Sequence, residues 1–136
     1  MTTIQEVRQA LGDVLATIPD WTVGTPYVGD QPPNPYTFRV ALPAFDPRYV
    51  FSQSKAQHTF VVTAYAPRTA PDESERRLDA LKELSGDGSL IATVQNGSLW
   101  SVTVDYAQVT NCGAVQAVDW DTTQFLACQF EIEVVW

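Results

Sequence analysis

Basic side chains are scarce in this sequence. Eight lysines and arginines stand against sixteen aspartates and glutamates, so the formal net charge is −8 at pH 7. A protein held on nucleic acid by phosphate contacts needs an excess of positive charge, and this balance argues against that class. An acidic surface can still border DNA. If several copies ringed a channel, like charge would let DNA slide through without sticking.

Cysteine and histidine are nearly missing too. The chain contains only Cys112, Cys128 and His58 of these two types. The two cysteines are too far apart for a CxxC motif and no second pair exists, so we expect no metal site and no cofactor. A hydrolase that pairs His58 with one of the thiols stays open as an alternative, although neither cysteine lies in a recognisable nucleophile motif.

Long hydrophobic runs are absent as well. The first residues, with Thr2, Thr3 and Glu6, show neither the basic region nor the apolar core of a signal peptide. We therefore expect a protein that folds in the cytoplasm and has no contact with a membrane. Its 136 residues are 45% hydrophobic and 11% aromatic, which is enough for the core of one domain spanning residues 1–136.

Glycines come close together only at Gly86 and Gly88. The phosphate motifs GxxxxGK[ST] and GxGxxG are both missing. Phosphate sites place glycines before a helix, whereas this pair follows the run DESERRLDALKEL, residues 72–84. We interpret Gly86 as the residue that closes a helix. The apolar stripe of that helix is predicted to contain Leu78, Leu81 and Leu84.

The other apolar segments predict a second helix and several strands. Residues 3–18 repeat apolar side chains at helical period, begin with a Thr3 and Glu6 capping box and end at Pro19. Alternation and β-branched content predict strands at 21–28, 36–45, 58–65, 100–109 and 124–136. The short apolar run at 90–94 is predicted to form a further helical turn or two. The result is an α+β fold, an antiparallel sheet with an N-terminal helix and a second helix packed on one face.

Three stretches in this order resemble a known family. A strand ending FVVTAYAPR (60–68) leads to the helix DESERRLDALKEL and a Ser-Gly break, and FLACQFEIEVVW (125–136) follows at the C-terminus. Together with the N-terminal helix, they resemble the tail terminator family of long-tailed phages, particularly the small tail-completion or neck proteins of phages of actinobacteria. The resemblance covers nearly the whole chain, but segment 111–121 departs from the glycine-rich hairpin expected there.

The resemblance implies a structural virion protein and no enzymatic reaction. Such a protein is made in the host cytoplasm and forms a ring, usually of six copies, at the head-proximal end of the tail tube. It stops tube polymerisation and joins the tail to the head-tail connector. The expected partners are therefore copies of itself, the tail tube protein and connector proteins, and DNA passes through the lumen without specific binding.

Two places are predicted to make the contacts of such a ring. Residues 46–55 combine charged groups with aromatic anchors of the kind enriched at interfaces, namely Asp46, Arg48, Tyr49, Phe51 and Lys55. Trp136 is the second candidate. The alternatives are that Tyr49 and Phe51 pack on the sheet of their own domain, and that Trp136 closes the core.

Other functions stay open beside this one. Another neck component, such as a head-tail connector or stopper, cannot be separated from a terminator by sequence. The hydrolase using His58 belongs to a different class. A small-molecule binding module would need a pocket lined by convergent polar groups.

Overall fold

The structure, a computed structural model, describes residues 3–23, 36–41, 57–69, 71–120 and 123–136. Its elements are α1 (Ile4–Leu15), β1 (Thr22–Val23), β2 (Thr37–Ala41), β3 (Gln57–Pro67), α2 (Pro71–Leu81), α3 (Leu90–Gln95), a 3-10 helix (Gly97–Leu99), β4 (Tyr106–Cys112), β5 (Gln116–Trp120) and β6 (Thr123–Val135). Among these residues six strands form one sheet, in the order β1-β2-β3-β6-β4, with β5 also paired to β6.

The predicted α+β class is confirmed. The N-terminal helix and a second helix pack against the sheet, and every strand pair is antiparallel except the short parallel pair of β1 and β2. Of the predicted strands 21–28 and 36–45, the described parts are β1 and β2, while positions 24–28 and 42–45 lie outside the described residues.

The centre of the sheet consists of β3 and β6. They pair along their whole length, from Gln57 opposite Val135 to Pro67 opposite Phe125. One face of β6 is buried, as its alternation predicts, and carries Leu126, Cys128, Phe130, Ile132 and Val134. Because successive side chains of a strand point to opposite faces, the other face carries Gln129, Glu131 and Glu133 away from the helices.

Helix α1 begins as predicted, because the Thr3 hydroxyl accepts a hydrogen bond from the Glu6 amide at 3.2 Å. Its apolar side, with Val7, Leu11, Val14 and Leu15, is fully buried. The helix ends at Leu15, before the predicted boundary at residue 18, although Ile18 also enters the core and is only 2% exposed.

Helix α2 buries Leu78 and Leu81, but the prediction for Leu84 is wrong. The helix ends at Leu81, so Leu84 falls outside the helical repeat and is 81% exposed. Gly86 does adopt a positive φ, 102°, yet it lies beyond the helix end and its carbonyl accepts the Ser89 amide. It therefore forms the turn into α3 and does not cap α2.

The predicted strand over 100–109 is partly wrong. Strand β4 starts at Tyr106, and Trp100 instead donates its indole N–H to the Val94 carbonyl at 2.9 Å, next to α3. This bond anchors the segment before β4 to a helix, so it cannot run along the sheet. The helical turns predicted at 90–94 are confirmed as α3, which Ser89 caps by accepting the Ala92 amide.

Candidate functional site

One side of the sheet ends in an open edge. Strands β4 and β5 follow each other along β6, β4 beside residues 130–135 and β5 beside residues 123–127. In the part of the chain that the structure describes, no further strand pairs with β4 or β5 on their outer side. Among the described residues, β4 and β5 are therefore the outermost strands on this side.

The open edge is irregular. A bulge between Val109 and Asn111 leaves Thr110 as an extra residue, and the Thr110 hydroxyl bonds to the Glu131 carbonyl at 3.3 Å. Residues 113–115 then separate β4 from β5, where the Gly113 amide bonds to the Gln129 carbonyl at 2.7 Å. Bulges and short strands discourage the addition of another strand. Contacts at this edge are therefore better suited to side chains than to sheet extension.

Acidic side chains lie on and beside this edge, with Asp119 on β5 and with Glu131 and Glu133 on the adjoining inner strand β6. Glu131 and Asp119 are exposed, and Glu133 accepts a hydrogen bond from the Tyr106 hydroxyl at 2.5 Å. That bond, followed by desolvation and the negative charge of Glu133, raises the pKa of the Tyr106 phenol above its ordinary value. We call the group Asp105, Asp119, Glu131 and Glu133 the acidic flank.

Charge is distributed unevenly along the sequence. No lysine or arginine occurs after Lys82. The acidic residues of that part are Glu83, Asp87, Asp105, Asp119, Asp121, Glu131 and Glu133. This asymmetry is visible in the sequence. The structure distributes the described acidic residues among the turn between α2 and α3, the segment before β4, and strands β5 and β6.

Three arginines lie at the opposite side of the sheet. Arg8 donates to the Val40 carbonyl in β2, Arg39 belongs to β2 itself, and the Arg77 guanidinium lies 4.1 Å from the ring centroid of Tyr36, just before β2. Strands β3 and β6 separate β2 from β4, a distance of roughly 14 Å at the usual strand spacing. We call Arg8, Arg39 and Arg77 the basic flank, in which Arg77 also forms an ion pair with Glu73 of its own helix at 3.2 Å.

The predicted interface residues fall into two groups. Asp46, Arg48, Tyr49, Phe51 and Lys55 lie outside the described residues. Trp136 is partly buried against the core, and its ring centroid is 5.0 Å from that of His58. This contact is what the core-closing alternative for Trp136 predicts.

His58 lies far from both cysteine thiols in the sheet. It pairs with Val134, whereas Cys128 pairs with Ala64, six positions further along β3, which corresponds to roughly 20 Å. Cys112 pairs with Phe130 of β6, and His58 pairs with Val134 of the same strand. These two partners are four positions apart, so Cys112 and His58 are separated by roughly 13 Å along the strand direction alone. Both separations are far beyond the hydrogen-bond distance that a nucleophile and its base require.

The two thiols also lack the electrostatics of a nucleophile. Burial raises the pKa of Cys112 and of Cys128, and the nearby Lys82 ammonium lowers both by less. The Cys128 thiol donates to the Gly113 carbonyl at 3.1 Å. Reactive cysteines have a lowered pKa, so the geometry gives the hydrolase alternative no support.

A small-molecule site finds little support in the cavity beside α3. About 520 Å³ of space lies between the end of α1, the turn before α3 and the 3-10 helix. Three of its four polar side chains bond to their own backbone, since Thr17 donates to Val14, Thr93 donates to Ser89 and Asn96 accepts from the Ser98 amide. The fourth, Asp87, is exposed. Polar groups that serve their own chain are not free to converge on a ligand.

Comparison with known proteins does not assign this chain. No family model matches it, and no curated protein is similar enough to match. Within the described residues, no helix is both long and apolar enough to cross a membrane. The same residues contain no group of three or more histidine, cysteine and carboxylate side chains that could hold a metal ion.

Proposed function

We propose that this protein is a structural virion component, a tail terminator. Copies of it form a ring, usually of six, at the head-proximal end of the tail tube, stop tube polymerisation and join the tail to the head-tail connector. The elements behind the resemblance are present in the order expected: α1, then β3 leading into α2, and β6 at the end.

The observation that supports the proposal most directly is that the two sides of the sheet are unlike. One side ends at the irregular edge strands β4 and β5, and the other carries the short strand β1 and the basic flank near β2. A ring needs a head-to-tail contact between two different surfaces of each copy, repeated around an axis. A sheet whose two sides differ in strand length and regularity provides two such surfaces.

The acidic surface also suits a channel for DNA. A net charge of −8 and a C-terminal part without lysine or arginine leave few groups that could hold phosphates. DNA passing through a ring of such subunits would be repelled by its wall and would not be retained there.

The test is the mass of the purified protein in solution, measured by light scattering alone and with the tail tube protein of the same virus. We expect a ring-sized species, either from the protein alone or on addition of tube protein. The tube protein of an unrelated phage is the control. A chain that stays monomeric at high concentration and ignores its tube protein would contradict the proposal.

A second experiment distinguishes a terminator from other neck components. In an assay of tube growth, substoichiometric addition of a terminator should shorten the tubes and leave rings at one end, seen by electron microscopy. A ring that binds the connector protein but leaves tube length unchanged would instead identify a connector or stopper.

A further inference from the structure

The two cysteines are distant in the sequence, but the sheet brings them to one face. Cys112 is the last residue of β4 and pairs with Phe130 of β6, and Cys128 lies two positions before Phe130. Cross-strand partners point to the same face, and so do residues two apart on one strand. Both thiols therefore lie on the side that the helices cover, where Cys128 is buried and Cys112 packs against the core.

The two thiols are diagonal neighbours across β4 and β6. The Cα atoms of such a pair are roughly 7–8 Å apart, at or beyond the limit of about 7 Å for a disulfide without backbone movement. The Cys128 thiol is directed towards β4, because it donates to the carbonyl of Gly113, the residue after Cys112, at 3.1 Å. The pair is therefore better suited to a bridging atom than to a direct sulfur–sulfur bond.

A metal ion spans the gap that a disulfide does not. Sulfur atoms are about 2 Å apart in a disulfide, whereas two metal–sulfur bonds of about 2.3 Å hold them up to about 4.6 Å apart when they lie in a line. Thiolate ligands select soft ions, and Cu(I) accepts two thiolates in this linear arrangement. A structural Zn²⁺ site needs four ligands, and the described residues contain no group of three or more.

The charge of such a complex has a partner nearby. Cu(I) bound by two thiolates carries one net negative charge. Burial raises the pKa of both thiols, and the Lys82 ammonium, just beyond the end of α2, offsets part of that rise at each of them. Lys82 is half-buried, where salt screens a charge pair less than it does on the open surface. Its ammonium is therefore placed to neutralise the complex.

We propose that Cys112 and Cys128 form a binding site for Cu(I), with the ion between the two sulfur atoms and its charge balanced by Lys82. Each thiol releases its proton to solvent when the ion binds, and copper keeps its oxidation state. The partly exposed Cys112 is the point of entry, and the burial of Cys128 shields the bound ion from water. The site lies on the covered side of the sheet, so the inference does not rest on the proposed function.

Titration with Cu(I) in the absence of oxygen tests the site. The acetonitrile complex of Cu(I) is added to the reduced protein in competition with the coloured chelator bicinchoninate. We expect the protein to withdraw one ion per chain from the chelator, and X-ray absorption to show two sulfur neighbours of the copper. Zn²⁺ should not displace the ion. A wild-type protein that withdraws no copper would overturn the proposal.

Each thiol should be necessary. Cys112→Ser and Cys128→Ser should each weaken Cu(I) binding at least about a hundredfold, because a hydroxyl is a poor ligand for a soft ion. Cys112 is partly exposed, so Cys112→Ser should fold normally, which circular dichroism checks. Cu(I) should also raise the Tm of the wild type but not that of Cys112→Ser. Equal affinities of the wild type and Cys112→Ser would contradict a site between the two sulfur atoms.

The contribution of Lys82 can be measured separately. Lys82→Met should weaken Cu(I) binding at least about tenfold, because the complex loses its neutralising charge, and Lys82→Arg should restore most of the affinity. Arg76→Met is the matched control, since it removes an exposed positive charge from α2 and should bind as the wild type does. If Lys82→Met and Arg76→Met bound Cu(I) equally well, Lys82 would not be the neutralising group.

Discussion

The guanidinium of Arg8, on helix α1, donates two hydrogen bonds to the Val40 carbonyl of β2, from Nη2 at 2.8 Å and from Nε at 3.3 Å. Among the described residues, strand β1 pairs with Thr37 and Phe38 of β2, and Arg8 bonds to the main chain two residues further along β2. A buried carbonyl without a partner is costly, and the fork of an arginine supplies two donors.

Replacing this arginine should destabilise the fold. Arg8→Met keeps much of the side-chain volume but removes both donors, so the free energy of unfolding should fall by about 1–2 kcal/mol for a partly exposed bond to a charged group. Urea denaturation measures it. Arg76→Met on the exposed side of α2 is the control and should stay within about 0.5 kcal/mol of the wild type. Equal losses in the two variants would contradict this role for Arg8.

A side chain at Gly86, in the turn before α3, should destabilise the protein. Its φ is 102°, but a Cβ at this position would meet no atom within 4 Å. The cost of Gly86→Ala is therefore backbone strain alone, about 1 kcal/mol. Gly97 also has open space around its Cβ position but no positive φ, so Gly97→Ala should be neutral or slightly stabilising. Thermal unfolding of the two variants gives the comparison, and a neutral Gly86→Ala would rule out the strain.

Ser89 should matter more than an ordinary helix cap. Its hydroxyl donates to the Glu83 carbonyl while accepting the Ala92 amide at 3.1 Å, and the residue is 1% exposed. Ser89→Ala loses both bonds at a residue that is itself buried, so we expect a loss of about 2–3 kcal/mol. Thr3→Ala removes an exposed cap and should cost about 1 kcal/mol. Similar losses for the two caps in urea denaturation would contradict the role of burial.

The bond between Tyr106 and Glu133 should be visible in the titration of the phenol. In the folded protein the pKa of the Tyr106 phenol is raised above its ordinary value of 10.0. The bond therefore stabilises the folded state fully below pH 10.0, and this stabilisation is lost as the pH rises through the raised pKa. Glu133→Gln removes the negative charge and should return the Tyr106 pKa towards 10.0. The ultraviolet absorbance of phenolate, compared with Tyr106→Phe, isolates this residue. An unchanged titration in Glu133→Gln would exclude the interaction.

The two thiols should react slowly and unequally. Burial raises the pKa of both, and Cys128 is 1% exposed whereas Cys112 is partly exposed. In the folded protein at neutral pH, an aromatic disulfide reagent should modify Cys112 first, at least about tenfold more slowly than in the unfolded chain. Cys112→Ser should leave a thiol that reacts only on unfolding. Fast labelling of that remaining thiol would contradict the burial of Cys128.

Local periodicity predicted the elements that lie against one continuous core. The Thr3 cap, the buried side of α1 and the alternating faces of β6 all follow from side-chain spacing, because one face of each element must leave water. The predictions failed where a neighbouring element decides the conformation. Leu84 continues the helical spacing, but the chain has already turned, and the indole bond of Trp100 to Val94 holds the next segment beside α3.

The sequence by itself determined the fold class and the one-sided distribution of charge, since both depend on which residues occur and in what order. Only the tertiary structure decided where that charge lies. Pairing with β6 places β4 and β5, two strands of the segment without lysine or arginine, on the outer side of the sheet, and the order of strands puts Arg39 on β2, beyond β3. Strand order depends on contacts between distant residues, and no local pattern encodes it.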